Sequence, residues 1–155
     1  MGYIGDTDEF EKMMTQYDIE PTTVIVTEPT AKERQIQAFV KRCYRLILGR
    51  EAEEGGLNYW TNELKSGSRT AAEIIDLFMG APEFTGKQYG FDRQVTILYR
   101  TMLNREPDEG GKAYWVGLLQ GGKPIAAVIN GFCGSEEFTG ICARYGITPG
   151  SVKVH

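Results

Sequence analysis

Histidine is all but missing from this chain of 155 residues; the one copy is His155. Without imidazoles, most general-base and nucleophile-activating arrangements have nothing to draw on. Cysteine is scarce as well. Cys43, Cys133 and Cys142 are odd in number and follow no metal-ligand spacing, so neither a disulfide framework nor a metal site nor a cofactor is expected. No apolar run is long enough to span a bilayer, so no membrane insertion is expected. Basic residues are not in excess: 17 Lys and Arg face 21 Asp and Glu, a formal charge of −4, whereas a nucleic-acid binder needs a basic patch. The opening MGYIGDTDEFEKMM is acidic and lacks the basic and apolar regions of a signal peptide. The chain is then either cytoplasmic or a piece of a longer secreted protein.

What the chain does have is repetition. Shifted by 55 residues, YRLILGREAEEGGLNYW (44–60) lies on YRTMLNREPDEGGKAYW (99–115), and ten of the seventeen positions are identical. The match continues from TAAEIIDLFMGAPEFTG (70–86) to PIAAVINGFCGSEEFTG (124–140) once one residue is removed near Arg69. An internal duplication of this length is the sequence signature of a repeat architecture. A third, partial copy stands at the start. Phe10, Met13, Met14 and Tyr17 precede Phe138, Ile141, Cys142 and Tyr145 by 128 residues, both sets at the i, i+3, i+4, i+7 spacing of an amphipathic helix. The division expected is a tail helix of a preceding repeat with an extended linker (1–31), a first unit (32–90), a second unit (91–146) and an extended tail (147–155).

Each unit reads as about four short helices, giving an all-α fold of two duplicated units. Helix A carries Ile36, Phe39, Val40, Cys43 and Ile47 on one face, or Val95, Leu98 and Met102 in the copy, and ends at Gly49 or Asn104, residue types suited to the left-handed C′ position. Helix B carries Leu57, Trp60 and Leu64, or Trp115 and Leu119, and stops at Gly67 or Gly121 and Gly122. Helix C opens on a Thr70–Glu73 capping box or on Pro124, and buries Ile74, Ile75 and Phe78, or Val128, Ile129 and Phe132. Helix D follows Gly80 or Gly134, with Ser135 as an N-cap in the second copy. Cys43 aligns with Leu98 and Cys133 with Met79, so the thiols are expected to be buried and free.

The most repeated stretch is REAEEGGLNYW (50–60) and REPDEGGKAYW (105–115). The structural expectation is an A–B corner in which Arg50 and Glu51, or Arg105 and Glu106, would clamp the turn by ion pairs, and Gly55, Gly56, Gly110 and Gly111 would allow close approach of a neighbouring helix. A calcium loop is a rival, but EPDEGGKAYWVG has no acid at the twelfth position. A carboxylate pair for glycoside hydrolysis, drawn from Glu51, Glu54, Glu106 and Glu109, ranks below surface acids at a helix start. A sugar platform is another rival. Adjacent residues on a helix lie about 100° apart, so Trp60 and Trp115 on the apolar stripe are expected in the core, with Tyr59 and Tyr114 at its edge.

The Y-R-x-x-L-x-R-E…G-G-x-x-Y-W pattern, carried by Tyr44, Arg45, Arg50, Glu51, Gly55, Gly56 and Trp60 and again by Tyr99, Arg100, Arg105, Glu106, Gly110, Gly111 and Trp115, resembles the bacterial "domain of unknown function 4214" family over roughly 34–146. A weaker likeness runs to phycobilisome linker domains. The resemblance implies tandem helical modules of large secreted or cell-surface proteins, some of which attach to cell-envelope polysaccharide, and carries no catalytic residues. The partners it implies are neighbouring repeats or another protein, or a glycan. Lys112 stands where the family more often has an aliphatic residue, which implies a more polar face there; with Tyr59 and Tyr114 it is a candidate partner or ligand contact. Helix 8–17 is expected to be ordered and packed on its own chain, with docking on another copy, and so self-association, as the alternative. Because the acids lack a calcium geometry, EDTA is expected to leave the melting temperature unchanged; a rise of several degrees on adding calcium would promote the two REx-acid loops to sites.

Overall fold

Thr30 starts the first helix. Its hydroxyl accepts the Glu33 backbone N–H at 3.1 Å while the Glu33 carboxylate accepts the Thr30 N–H at 3.0 Å, a reciprocal capping box that satisfies two otherwise orphaned donors. This box sets the helix start at residue 31, just inside the stretch expected as linker. The computed structural model describes residues 30–153; the stripe at 8–17 and the rest of the expected linker lie outside the described residues.

Helix α1 (Ala31–Cys43) runs on into a π-helical segment, Tyr44–Leu48, and stops at Gly49 in the left-handed region (φ 72°). The second unit repeats this with α5 (Phe91–Leu98), a π segment Tyr99–Leu103 and left-handed Asn104 (φ 57°). The B helices are α2 (Glu54–Ser66) and α6 (Glu109–Gln120), and the C helices are α3 (Ala71–Gly80) and α7 (Ile125–Cys133). The D helices differ: α4 is a single turn, Pro82–Thr85, whereas α8 spans Glu136–Tyr145 with Ser135 as its N-cap. The fold is all-α, and no strand occurs among the described residues.

Within each unit helices A and B form a hairpin, α1 on α2 and α5 on α6. The units join through α3 against α7, through the two π segments, and through α8, which crosses α1 and the second π segment. The buried side chains form one cluster across both units, with Phe39, Leu98, Met102, Ile129 and Phe138 shut off from solvent. One core for two units agrees with their size, since a unit of this length buries a smaller share of its surface than the pair does and is marginal by itself. In α1 the fully buried residues are Ile36, Phe39, Val40 and Cys43, the stripe that the 3.6-residue period picks out. Cys43 and Cys142 are buried, Cys133 is half-buried, and all three are free thiols.

The tryptophans depart from the sequence reading. Trp60 and Trp115 are half-buried and pack on the core's margin rather than inside it. Each stands edge-on to the Phe of helix C, Trp60 to Phe78 at 5.6 Å and Trp115 to Phe132 at 5.1 Å, and the indole is too large to vanish between two helices. Leu57, placed on the same stripe, is half-buried too. The two sites also differ. The Trp115 ring lies over Gly131, where an added Cβ would stand 2.3 Å from Cη2, while the aligned residue in the first unit is Leu77, which is 41% exposed.

Candidate functional site

The duplicated motif assembles at the corner between helices A and B. The π segment widens the helix by one residue, which turns Tyr44, and in the copy Tyr99, inward onto helix B. Both tyrosines are buried at 4% and 3% exposure, and each phenol oxygen meets one glycine of helix B: a Cβ on Gly56 would lie 2.3 Å from the Tyr44 hydroxyl, and one on Gly111 would lie 2.3 Å from that of Tyr99. Each ring also stands edge-on to the Phe of helix C, Tyr44 to Phe78 at 5.0 Å and Tyr99 to Phe132 at 4.9 Å. Burial, aided by the neighbouring acids Glu53 and Asp108, raises both phenol pKa values. Only the second glycine of each pair is needed for this approach. Gly55 has nothing within 4 Å of where a Cβ would go, and Gly110 has only the Asp108 carboxylate at 3.9 Å.

An arginine lies over each tyrosine. The Arg50 guanidinium sits 5.0 Å from the Tyr44 ring centre, and that of Arg105 sits 5.2 Å from Tyr99. Arg50 donates to both Glu83 oxygens, with Nη2–Oε1 at 3.0 Å, and through Nη1 to Glu53 Oε1 at 2.8 Å and the Glu51 carbonyl at 3.1 Å. Arg105 repeats the pattern on Glu137, at 2.8 and 3.1 Å, and on the Glu106 carbonyl at 3.3 Å, with Asp108 at 3.6 Å. The corner is therefore clamped to helix D as well as to helix B. The acids that do this are Glu53 with Glu83, and Asp108 with Glu137. Glu51 supplies only its backbone oxygen to Arg50, and the Glu106 carboxylate turns away to Arg100, at 2.6 and 3.0 Å. Arg45, the counterpart of Arg100, is exposed. Glu83 and Glu137 were missed in the sequence, although the shared E-F-T-G of helix D marked them.

Bonding to arginine lowers the pKa of Glu53, Glu83, Glu106 and Glu137; the Asp108 carboxyl is lowered first by the Gly111 backbone N–H, which it accepts at 3.0 Å. Among the described residues no group of three His, Cys, Asp or Glu is placed to hold a metal ion. A groove of about 260 Å³ at the junction is lined by Arg42, Arg100, Asn104 and Arg105, yet its guanidinium groups are already engaged. Arg42 caps the second π segment by donating to the carbonyls of Arg100 and Thr101 and to Asn104 Oδ1. The alignment offered no hint of this, since Ile97 stands at the equivalent position.

The candidate contacts lie elsewhere. Tyr59 is 50% exposed and Tyr114 is 61% exposed, each standing edge-on against its neighbouring tryptophan at 4.8 Å. Lys112 pairs with Asp92 at 3.0 Å and borders an open groove of about 440 Å³ with Pro107, Glu109, Ala113 and Val116. Tyr44, Arg50, Gly56 and their copies Tyr99, Arg105 and Gly111 thus hold the corner, and Tyr59 and Tyr114 beside them face solvent.

The family model described as Domain of unknown function (DUF4214) matches the chain twice, over residues 27–88 and 87–142. The chain belongs to this family. No curated protein and no solved structure matches it. The two matches fall on the two helical units, so each DUF4214 repeat in this chain is one A–B–C–D unit, and the residues that recur between them are those of the corner.

Two outcomes follow from the corner geometry. Gly56→Ala or Gly111→Ala should destabilise by about 1–3 kcal/mol through overpacking against the phenol, whereas Gly55→Ala or Gly110→Ala should be neutral or stabilise by up to about 1 kcal/mol; denaturant melts of the four variants check this, and equal effects within a pair would refute the close approach. The clamp also predicts an acid limb. Glu83 and Glu137 have lowered folded values, so their contribution is whole above the ordinary carboxylate range and is lost as pH falls through those values. Glu83→Gln and Glu137→Gln should therefore flatten the loss of melting temperature below about pH 5, and a limb as steep as that of the parent chain would show that the pairs contribute nothing.

Proposed function

We propose that this tandem DUF4214 chain is a non-catalytic structural and interaction module of a secreted or cell-surface bacterial protein, working beside neighbouring repeats or another protein. The observation that carries this reading is how the recurrent residues are used. Tyr44, Arg50, Gly56 and their copies Tyr99, Arg105 and Gly111 are all engaged with one another or with helices C and D. Residues that recur because they set the angle of a corner are those of a scaffold. The location rests on the family resemblance alone.

A second reading, binding to a cell-envelope glycan, is favoured by one observation. Tyr59 and Tyr114 recur at the same place in both units, are largely exposed, and are held edge-on by the adjacent indoles, so each offers a fixed aromatic face. Tyr59→Ala and Tyr114→Ala separate the readings. The scaffold reading expects wild-type melting for both variants and no saturable change in tryptophan fluorescence on titration with soluble cell-envelope polysaccharides. The glycan reading expects saturable binding, weakened at least about tenfold by either substitution, or on the order of 1.4 kcal/mol.

A further inference from the structure

Helix α8 and the tail behind it form a return strap from the second unit to the first. Phe138, Ile141 and Cys142 are buried, and Tyr145 stands edge-on to Phe39 of α1 at 5.5 Å. After left-handed Gly146, the tail reaches the start of α3. There the Thr148 and Pro149 carbonyls accept the Ala71 and Ala72 N–H groups, both at 2.9 Å. These are first-turn donors that have no partner within their own helix. Further on, the Asn130 side chain of α7 meets the Val152 backbone at two points: Nδ2 donates to the Val152 carbonyl at 2.7 Å, and Oδ1 accepts the Val152 N–H at 2.9 Å. The seat therefore has an apolar floor on α1 and four hydrogen bonds that read backbone and not side chain.

The chain contains a second segment written for such a seat. Residues 7–24 place Phe10, Met13, Met14, Tyr17, Ile19 and Pro21 at the positions of Phe138, Ile141, Cys142, Tyr145, Ile147 and Pro149. Thr7 stands for the N-cap Ser135, and Glu9 for Glu137, the partner of Arg105. Two of the remaining differences replace glycines. Lys12 replaces Gly140, where a Cβ would meet nothing within 4 Å, and Asp18 replaces Gly146, where the nearest atom would be at 3.7 Å but the φ of 75° strains a side chain, less for Asp than for most residues. One position does not fit. Gly150 has a φ of 69°, and a Cβ there would lie 2.3 Å from Thr70 Oγ1, 2.4 Å from its Cβ and 2.6 Å from its Cγ2. Thr70 cannot swing clear, because its hydroxyl caps α3 and its side chain has no length to bend. The residue that segment 7–24 brings to this point is Thr22, β-branched and excluded both by the φ and by the contact.

We propose that the face formed by α1, the start of α3 and Asn130 is a docking seat for a helix-and-tail segment, that it takes residues 135–152 of its own chain, and that Thr70 pressed on Gly150 is the specificity determinant that rejects the otherwise matching segment 7–24. The seat then closes on a strap of the 135–152 kind, and segment 7–24, of the same chain or of another copy, is turned away at that contact. The inference is independent of whether the exposed tyrosines bind glycan.

Three variants of the full chain test it, read by thermal melting and by mass in solution. Gly150→Thr should lower the melting temperature by roughly 5–10 °C. Replacing 135–152 by a copy of 7–24, with threonine at 150, should cost at least as much. The same block with residue 150 returned to glycine should recover most of the loss and remain monomeric at the seat. The proposal is overturned if the two block variants melt together, whether both fold or both fail, or if Gly150→Thr melts with the parent chain.

Discussion

A tyrosine hydroxyl set against the bare backbone of a glycine, beneath an arginine, is the contact from which the rest of this architecture follows. It occurs twice, at Tyr44–Gly56 and Tyr99–Gly111. It demands a helix A that delivers the phenol inward, which the π segment does, and a helix B with no side chain at one position. It also buries a polar group, the phenol hydroxyl, which finds its hydrogen-bond partner in the indole of helix B, Trp60 or Trp115, while the guanidinium above the ring reaches out to helix D. Angle, approach and closure of the corner are thus one constraint, and losing any member unsettles the other two.

The two copies of the corner are not placed in equal surroundings, because a single core has to serve both. Where the first unit carries Arg42, reaching across to cap the second π segment, the second carries the buried Ile97. Where the second lets its indole lie on Gly131, the first has an outward Leu77. D helices diverge most: a single turn after Pro82, against the ten residues of α8 that cover α1. Duplication supplied two equivalent corners, and packing the units face to face then gave the remaining positions different neighbours.

Local signals in the chain were readable because their causes are local. The α1 stripe, the Thr70–Glu73 box, the Ser135 cap and the left-handed stops at Gly49 and Asn104 each depend on residues within one or two turns. The duplication added long-range information of one kind, namely which residues act together, and so pointed to the corner. It could not name Glu83 and Glu137 as the partners of Arg50 and Arg105, since periodicity says nothing about which surface acid faces which base. It was silent on Arg42 and on the Gly150–Thr70 contact, which exist in one copy only. The tryptophans were over-buried in the reading because a helical stripe gives direction and not depth.

The thiols turn the strap into something that can be timed. Cys43 on α1 and Cys142 on α8 are both buried, and burial raises both pKa values, that of Cys142 to about 12. While the strap is seated, a thiol reagent has almost no nucleophile to meet and no path to reach it. Once α8 lifts, both sulfurs gain water and ordinary acidity together. Alkylation at Cys43 and Cys142, read apart from that at the half-buried Cys133, is therefore expected to track how often the second unit lets go of the first, a clock built from two residues that the fold uses only as filling.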